Sequence, residues 1–360
     1  VSFPIPEYSR KQVKNAGATL VAFEESNEGE FNLDKWFDAF VVLTNWRACH
    51  GYPINTFQAT LRNKLKKIDP DALVAQRLKR TPSIINKLQR IRGMNLARMQ
   101  DIGGLRAVVS TLPQLRTLHK EYKDTVFSHS LVSEFDYVNE PKSSGYRSVH
   151  LIYKYKLRYD SPYDGLQLEL QMRTKLQHAW ATAVETMGTF LQHSLKSSEG
   201  PEEWLNFFAL VSSAFAHSER MPLVPGYDHL TKAETYKKTK EDAERLGVRE
   251  KLERFRSAVR AIPTSGKKRA AYYLVELQLT GDDSNVKITS FARDKLEEAN
   301  KQYSLAERDA NSSGAQVVLV SAGSIESLKR AYPNYFLDTH EFLIQLEKIA
   351  KSKFSLNDGI

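Results

Sequence analysis

Residues 148–173, SVHLIYKYKLRYDSPYDGLQLELQMR, decide the fold. Two runs in this stretch alternate with the period of a strand. In the first, Val149, Leu151, Tyr153, Tyr155 and Leu157 fall on one face, with His150, Lys154 and Lys156 on the other. In the second, Leu166, Leu168, Leu170 and Met172 alternate with Gln167, Glu169, Gln171 and Arg173. Between them, Asp160-Ser161-Pro162-Tyr163-Asp164-Gly165 is turn chemistry. The pattern predicts an antiparallel hairpin with one buried face, and it gathers Glu169, Gln171 and Arg173 on one side of their strand.

Outward from the hairpin, residues 105–111 form a short apolar strand candidate, and the first hundred residues read as helical. Trp36, Phe37, Phe40 and Val41 keep to one helix face behind Asn32, a capping residue. A break falls at Gly51-Tyr52-Pro53, and helical spacing resumes through Phe57, Leu61 and Leu65 until Asp69-Pro70. Segments 71–79 and 83–92 read as short helices. Downstream, 175–191 and 202–218 read as helices, and 236–260, charged with sparse apolar residues, reads as one long exposed connector helix. Ile262-Pro263-Thr264-Ser265-Gly266 is the strongest boundary signal. Beyond it, a hairpin (271–280 and 286–291), a helix (291–310), a strand (316–321) and helices at 325–331 and 339–351 make a small α+β unit. The expected division is 1–262 and 266–360, α+β in both parts.

The chain has 360 residues, a prior for two or three domains. With 41% hydrophobic and 26% charged residues, a disordered, collagenous or membrane protein is excluded. No uncharged apolar run approaches the ~18 residues of a membrane span, and residues 1–10 lack a signal-peptide core. The formal net charge of +9 suggests a polyanionic partner, nucleic acid or nucleotide phosphates first. Cys49 is the only cysteine, so no intrachain disulfide and no cysteine zinc site are expected, and a cytoplasmic location follows.

Four segments carry candidate chemistry. Arg77, Lys79, Arg80 and Lys87 surround a helix start at Ser83, a natural phosphate site and equally a solvated basic face. In Asp101-Ile102-Gly103-Gly104-Leu105-Arg106, glycine permits close backbone approach, Asp101 could hold magnesium, and Arg106 could stack on a base or hold a phosphate; a plain loop running into a strand also fits. Residues 140–150 put Lys142, Tyr146, Arg147 and His150 around one glycine loop, suited to a base and its phosphates or to a polar hairpin start. Glu169, flanked by Gln171 and Arg173 with His178 and Trp180 beyond, suits metal and hydroxyl activation, or a solvent face.

Taken in order, RLKRTPSIINKL (77–88), DIGGLR (101–106), PKSSGYRSVH (141–150) and ELQMRTKLQHAWA (169–181) resemble the RelA/SpoT-type pyrophosphokinases, the small alarmone synthetase superfamily. The resemblance covers about residues 74–188. It implies a nucleotidyltransferase-like mixed β-sheet flanked by helices, and transfer of the β,γ-pyrophosphate of ATP to a ribose 3′-hydroxyl with Mg2+. It further implies that Arg77 and Arg106 sandwich the adenine, and that Lys79, Ser83 and Lys87 attend the ATP phosphates. Asp101 would ligate the metal, and Tyr146 would stack on the acceptor base. Lys142, Arg147 and His150 would share the acceptor loop. Glu169 would assist the metal and activate the hydroxyl, supported by Gln171, Arg173 and His178. No His-Asp dipeptide occurs, so the hydrolase site of the long bifunctional relatives is not expected.

The stretch WRACHGYPINTF (46–57) and the C-terminal unit resemble the fused, CapRel-type toxin–antitoxin branch. That resemblance implies a tRNA CCA end as acceptor and a C-terminal domain shaped like a zinc finger without zinc ligands. It also implies autoinhibition through Tyr332 and Tyr335 in the adenine site, and a phage major capsid protein as trigger in antiviral defence. The alternatives are a (p)ppGpp synthetase using ATP with GDP or GTP, and a catalytically silent nucleotide- or RNA-binding module. No membrane and no zinc are expected.

Overall fold

The computed structural model describes residues 3–25, 32–125, 127–191, 195, 199–258, 264–265, 271–280, 283–313, 315–321 and 339–352. The hairpin forms as read. Strands β4 (Val149–Lys154) and β5 (Gln167–Thr174) pair antiparallel, with Val149 opposite Met172, Leu151 opposite Leu170 and Tyr153 opposite Leu168. These apolar residues lie in one core with α1 (Arg10–Glu25), α2 (Leu33–Cys49), α3 (Gly51–Ile68), α4 (Thr81–Arg90) and α5 (Leu112–Asp124), through Val13, Leu43, Leu61, Ile84 and Leu115.

The hairpin is the middle of a larger sheet. With β1 (Leu73–Leu78), β2 (Gly103–Val109), β3 (Ser130–Asp136), β6 (Thr264–Ser265), β7 (Tyr272–Thr280), β8 (Asp283–Phe291) and β9 (Gln316–Ser321), the strand order among the described residues is β3-β4-β5-β2-β1-β9-β7-β8-β6. β2 runs parallel to β5, and β6 parallel to β8; the other pairs are antiparallel, so the sheet is mixed. A second core joins α6 (Lys175–Leu191), α7 (Glu202–Glu219), α8 (Lys232–Arg245), α9 (Val248–Ala258) and α11 (His340–Lys351) through Trp180, Phe207, Phe215, Tyr236, Leu252 and Phe342. A third packs α10 (Leu296–Ser313) against β7 and β9 through Tyr303, Leu274 and Leu319.

Three differences from the sequence expectation stand out. Segment 71–79 is not a helix: residues 73–78 are β1, paired on one side with β2 and on the other with β9. Its short apolar run fits either state by itself, and the two available neighbours decide for the strand. Segment 236–260 is not one exposed helix. It breaks between α8 and α9 at Gly247, whose φ of +59° suits glycine, and Leu246, Val248 and Leu252 in it are buried. Strand β3 and helix α5 carry no earlier reading; Thr111 and Gln114 form a capping box at the start of α5.

The C-terminal part joins the same sheet. Its strands continue the N-terminal sheet, with β9 placing Val320 opposite Arg77 and Ser321 opposite Gln76. Residues 325–331, Tyr332 and Tyr335 lie outside the described residues. Among the described residues, no helix is long and apolar enough to cross a membrane.

Candidate active site

The strand registers set the candidate residues in two rows on the sheet face opposite the α1–α5 core. One row runs Arg77 on β1, Gly104 on β2, Glu169 on β5 and Ile152 on β4. The next runs Ala75, Arg106, Gln171, His150 and, on the edge strand β3, Phe135. Directly opposed residues share a face, so the sheet itself brings the two arginines and Glu169 to one surface.

The adjacent glycines of β2 serve opposite faces. A Cβ at Gly103 would meet Ile54 Cγ2 at 2.9 Å, Leu168 Cδ2 at 3.0 Å and His50 Cβ at 3.1 Å, so Gly103 lets α3 close on the sheet. A Cβ at Gly104 would meet only the Arg77 carbonyl oxygen, at 3.8 Å. Gly104 therefore leaves open floor between Arg77 and Glu169.

At one end of this floor, Asp101 precedes β2 and Lys79 follows β1, tied by the Lys79 amide donating to the Ile102 carbonyl at 2.8 Å. Lys79 Nζ bonds Asp101 Oδ2 and Lys87 Nζ bonds Asp101 Oδ1, both at 2.9 Å. Burial acts to raise the Asp101 pKa, but the two ammonium groups outweigh it and hold the carboxyl at about 2. Burial lowers Lys79, against the pull of Asp101. Lys87 reaches this point from α4, which turns Ile84 and Leu88 into the core and keeps half-buried Ser83 in its first turn beside Pro82.

The other end is a closed ring of hydrogen bonds. Glu169 Oε1 meets His150 Nδ1 at 2.7 Å, and His150 Nε2 meets the Tyr146 hydroxyl at 2.7 Å. Arg173 Nη2 donates to that hydroxyl at 2.9 Å and to Gln171 Oε1 at 3.3 Å. Gln171 Nε2 returns to Glu169 Oε2 at 3.0 Å. Burial acts to raise the Glu169 pKa, and the bond and charge of His150 override it, so the carboxylate titrates below its usual range. Burial acts to lower His150, and Tyr146 and Glu169 raise it on balance. The ring thus holds an ionised carboxylate against an imidazole that readily carries a proton.

Gly145 shapes the loop that delivers Tyr146. Its φ is +88°, and a Cβ there would approach Trp180 Cζ2 at 2.9 Å and Ala209 Cα at 3.0 Å. Ser212 Oγ donates to the Gly145 carbonyl at 2.6 Å, closing the loop onto α7. Lys142 Nζ lies 4.4 Å from the Tyr137 ring centre and 5.6 Å from that of Tyr146.

The remaining candidates separate. Arg147, expected among the acceptor groups, is 3% exposed and is turned inward, with Nη1 on Glu219 Oε2 at 2.9 Å. Glu219 also accepts from Thr174 Oγ1 and Gln177 Nε2, so this pair joins the loop before β4 to β5 and α6. Arg173, 1% exposed, acts within the ring. His178 is buried on α6, and Arg106 is buried while Arg77 is half-buried.

Several contributors carry no signal in the sequence. Glu219 lies far along the chain from its partners. Arg47 Nε donates to the Lys79 carbonyl at 2.7 Å, and its guanidinium lies 4.3 Å from the Tyr303 ring centre. Glu307, 7% exposed on α10, accepts from the Thr81 amide at 2.9 Å, at the N-terminus of α4, and from the Tyr303 hydroxyl. The buried Cys49 thiol, pushed up to about 12 chiefly by burial, is no nucleophile.

Asp101 and Glu169 are hard oxygen donors, near enough that the Asp101 charge acts to raise the Glu169 pKa. Every carboxylate oxygen in the pair has one protein partner and retains acceptor capacity. That donor set fits Mg2+, which takes one or two carboxylates and completes its shell with phosphate oxygens and water.

Two curated proteins and a solved structure are similar to part of this chain. GTP pyrophosphokinase YjbM of Bacillus subtilis (strain 168) is 33% identical over 131 residues, covering 35% of this chain and 56% of that protein. GTP pyrophosphokinase YwaC of the same organism is 30% identical over 115 residues, covering 29% and 52%. The chain therefore spans about half the length of the curated relatives it matches. Among solved structures, the small alarmone synthetase 1 from Bacillus subtilis bound to its product pppGpp is 26% identical, with a TM-score of 0.42, covering 52% of this chain and 94% of that one. The stretch that carries Lys79, Lys87, Asp101, Tyr146, His150 and Glu169 is the stretch, residues 76–189, that matches the RelA_SpoT family model, the region found in RelA / SpoT proteins.

Proposed function

We propose that this chain is an ATP-dependent pyrophosphokinase that transfers pyrophosphate to a ribose 3′-hydroxyl, and that its acceptor is the CCA end of tRNA. The observation that carries the transfer is the pairing of a lysine-bridged Asp101 with an imidazole-bridged Glu169 across the open floor of Gly104. The acceptor oxygen bonds to the β-phosphorus of ATP, the bond from that phosphorus to the α-phosphate oxygen breaks, and AMP leaves. Mg2+, when bound, neutralises charge on the migrating phosphates. Lys79 and Lys87 exchange Asp101 for phosphate oxygens. Glu169 orients the hydroxyl and takes its proton, with His150 fixing the carboxylate through Oε1.

Regulation by the C-terminal part belongs to the same reading. The contacts that support it are Val320 opposite Arg77, Tyr303 against Arg47, and Glu307 on the Thr81 amide. All three grip the donor side, where a carboxylate at the α4 N-terminus competes with phosphate. A zinc-finger-like shape without zinc ligands, plugging of the adenine site by Tyr332 and Tyr335, cytoplasmic antiviral defence and a phage major capsid protein as trigger complete the proposal. The second reading is a (p)ppGpp synthetase, favoured by the names of the curated relatives, both GTP pyrophosphokinases.

Incubation with γ-labelled ATP and either bulk tRNA or GDP and GTP separates the two. Label on tRNA alone is the expected result, and label on guanosine nucleotide alone assigns the second reading. Glu307→Ala is expected to raise basal transfer several-fold, and unchanged transfer in a folded variant removes Glu307 from the inhibitory contact.

A further inference from the structure

Phe135 lies beside the ring of hydrogen bonds, across from His150 on the edge strand β3. It is 42% exposed, although it is a large apolar side chain at the rim of a polar site. Its ring runs parallel to that of Tyr137, with 6° between the planes and 5.8 Å between the centres. Tyr137 meets His150 edge-on at 5.4 Å and Tyr146 edge-on at 6.0 Å. The Lys142 ammonium lies 4.4 Å from the Tyr137 ring centre. The ring contacts thus run outward from Glu169 through His150 and Tyr137 to Phe135, and the outermost member is open to solvent.

Each feature suits a single strand of nucleic acid. Parallel rings offer a π-face to any base, whatever its identity. A cation beside them suits the phosphate that links two nucleotides. A free mononucleotide has no second base and no use for the platform. An apolar protein partner would leave the neighbouring ammonium without a counterion.

We propose that Phe135, with Tyr137 behind it, is a stacking platform for the nucleotide that precedes the acceptor nucleoside, so that the acceptor is the 3′ end of an RNA strand. This inference rests on the pyrophosphokinase reading above and adds to its tRNA acceptor a subsite for the penultimate nucleotide.

The test compares acceptors of increasing length, AMP, CpA and CpCpA, with GDP alongside, for the wild-type chain and for Phe135→Ala and Phe135→Trp. In the wild-type chain, kcat/KM is expected to rise about ten-fold when the preceding nucleotide is added, the scale of one base–aromatic stack. Phe135→Ala is expected to remove that gain through KM, with kcat and transfer to AMP unchanged, and Phe135→Trp to restore it. A fluorescence-anisotropy titration with a short RNA hairpin ending in 3′-CCA gives a readout independent of turnover, and Phe135→Ala should weaken its binding about ten-fold. Equal gain and equal hairpin affinity in wild type and Phe135→Ala overturn the platform. Label on GDP alone overturns the platform and leaves pyrophosphate transfer standing. Absence of label on every acceptor, with the hairpin still bound through Phe135, keeps the platform and removes the transfer reading. Loss of self-association in Phe135→Ala by sedimentation, with hairpin binding unchanged, assigns the patch to a protein contact and overturns the platform.

Discussion

Asp101 and Glu169 are both half-buried carboxylates at one sheet face, and both are held ionised, but by opposite means. Asp101 is charged because two flexible lysines converge on it from β1 and α4. Glu169 is charged because an imidazole and an amide, each locked to a further buried group, hold its two oxygens. A lysine can swing to a new anion with little rearrangement. A member of the Glu169 ring cannot leave without breaking two bonds. On the proposed function, the donor side is thus suited to exchange partners and the acceptor side to hold still, as preorganised proton transfer requires.

The sharpest way to break this contrast is to neutralise each carboxylate in place. Glu169→Gln should lower kcat about 10³-fold, within the range for loss of a general base. Asp101→Asn should cost a similar factor, with a raised KM for ATP as its added signature. Near-UV circular dichroism should show both variants folded. Retained turnover in either one would place the chemistry elsewhere.

The two glycines of β2 set the next scale. Gly103→Ala drives a Cβ to within 2.9 Å of Ile54 and should destabilise the chain by about 1–3 kcal/mol, the range for overpacking. Gly104→Ala meets nothing closer than 3.8 Å and should leave the melting temperature unchanged while weakening ATP binding. Equal melting shifts in the pair would show that the floor over Gly104 is not open.

How much of this was legible differs between the two sides. On the acceptor side the strand alternation alone puts Glu169, Gln171 and Arg173 on one face, because the period of a strand is local. What it cannot give is depth: Arg147, expected in the acceptor loop, and Arg173, expected to support Glu169, are both interior, since Glu219 and Tyr146 supply their partners only after folding. On the donor side, segment 71–79 reads as a helix by itself because its pairing partners β2 and β9 lie about 30 and about 245 residues away. Lys79 and Asp101 both fell within recognisable motifs, yet the bridge between them depends on that pairing. Phe135 is one aromatic among many in the sequence, and only its register opposite His150 singles it out.

The lysine bridges also have a thermodynamic signature. Asp101 shifts from an ordinary 3.8 to about 2 on folding, so its ionisation contributes about 2 kcal/mol above pH 4. Because the folded value is the lower one, that contribution is complete above the unfolded pKa and disappears as pH falls through about 2. Urea titrations at pH 6, 4 and 2.5 should show a loss in the wild-type chain that is smaller in Lys87→Met, where one of the two ammonium groups is gone. A parallel acid dependence in the two proteins would mean that Lys87 does not hold the carboxylate.

On the acceptor side the corresponding test is kinetic. His150 is the group that keeps Glu169 below its usual range, against burial, which pushes the other way. Removing the imidazole leaves burial and the charge of Asp101, which raise the Glu169 pKa, against only the Gln171 hydrogen bond, which lowers it. The acid limb of the kcat–pH profile should therefore move to higher pH in His150→Ala, so that turnover falls off earlier on acidification. His150→Gln, which can still donate to Oε1 but carries no charge, should move it less. The shift belongs to the carboxylate alone only if kcat on the alkaline plateau is reduced by a constant factor in each variant. A limb that stays in place in His150→Ala would mean that the imidazole orients Tyr146 without tuning Glu169, and the acceptor ring would then be a scaffold for the stacking tyrosine and not a device for holding a base.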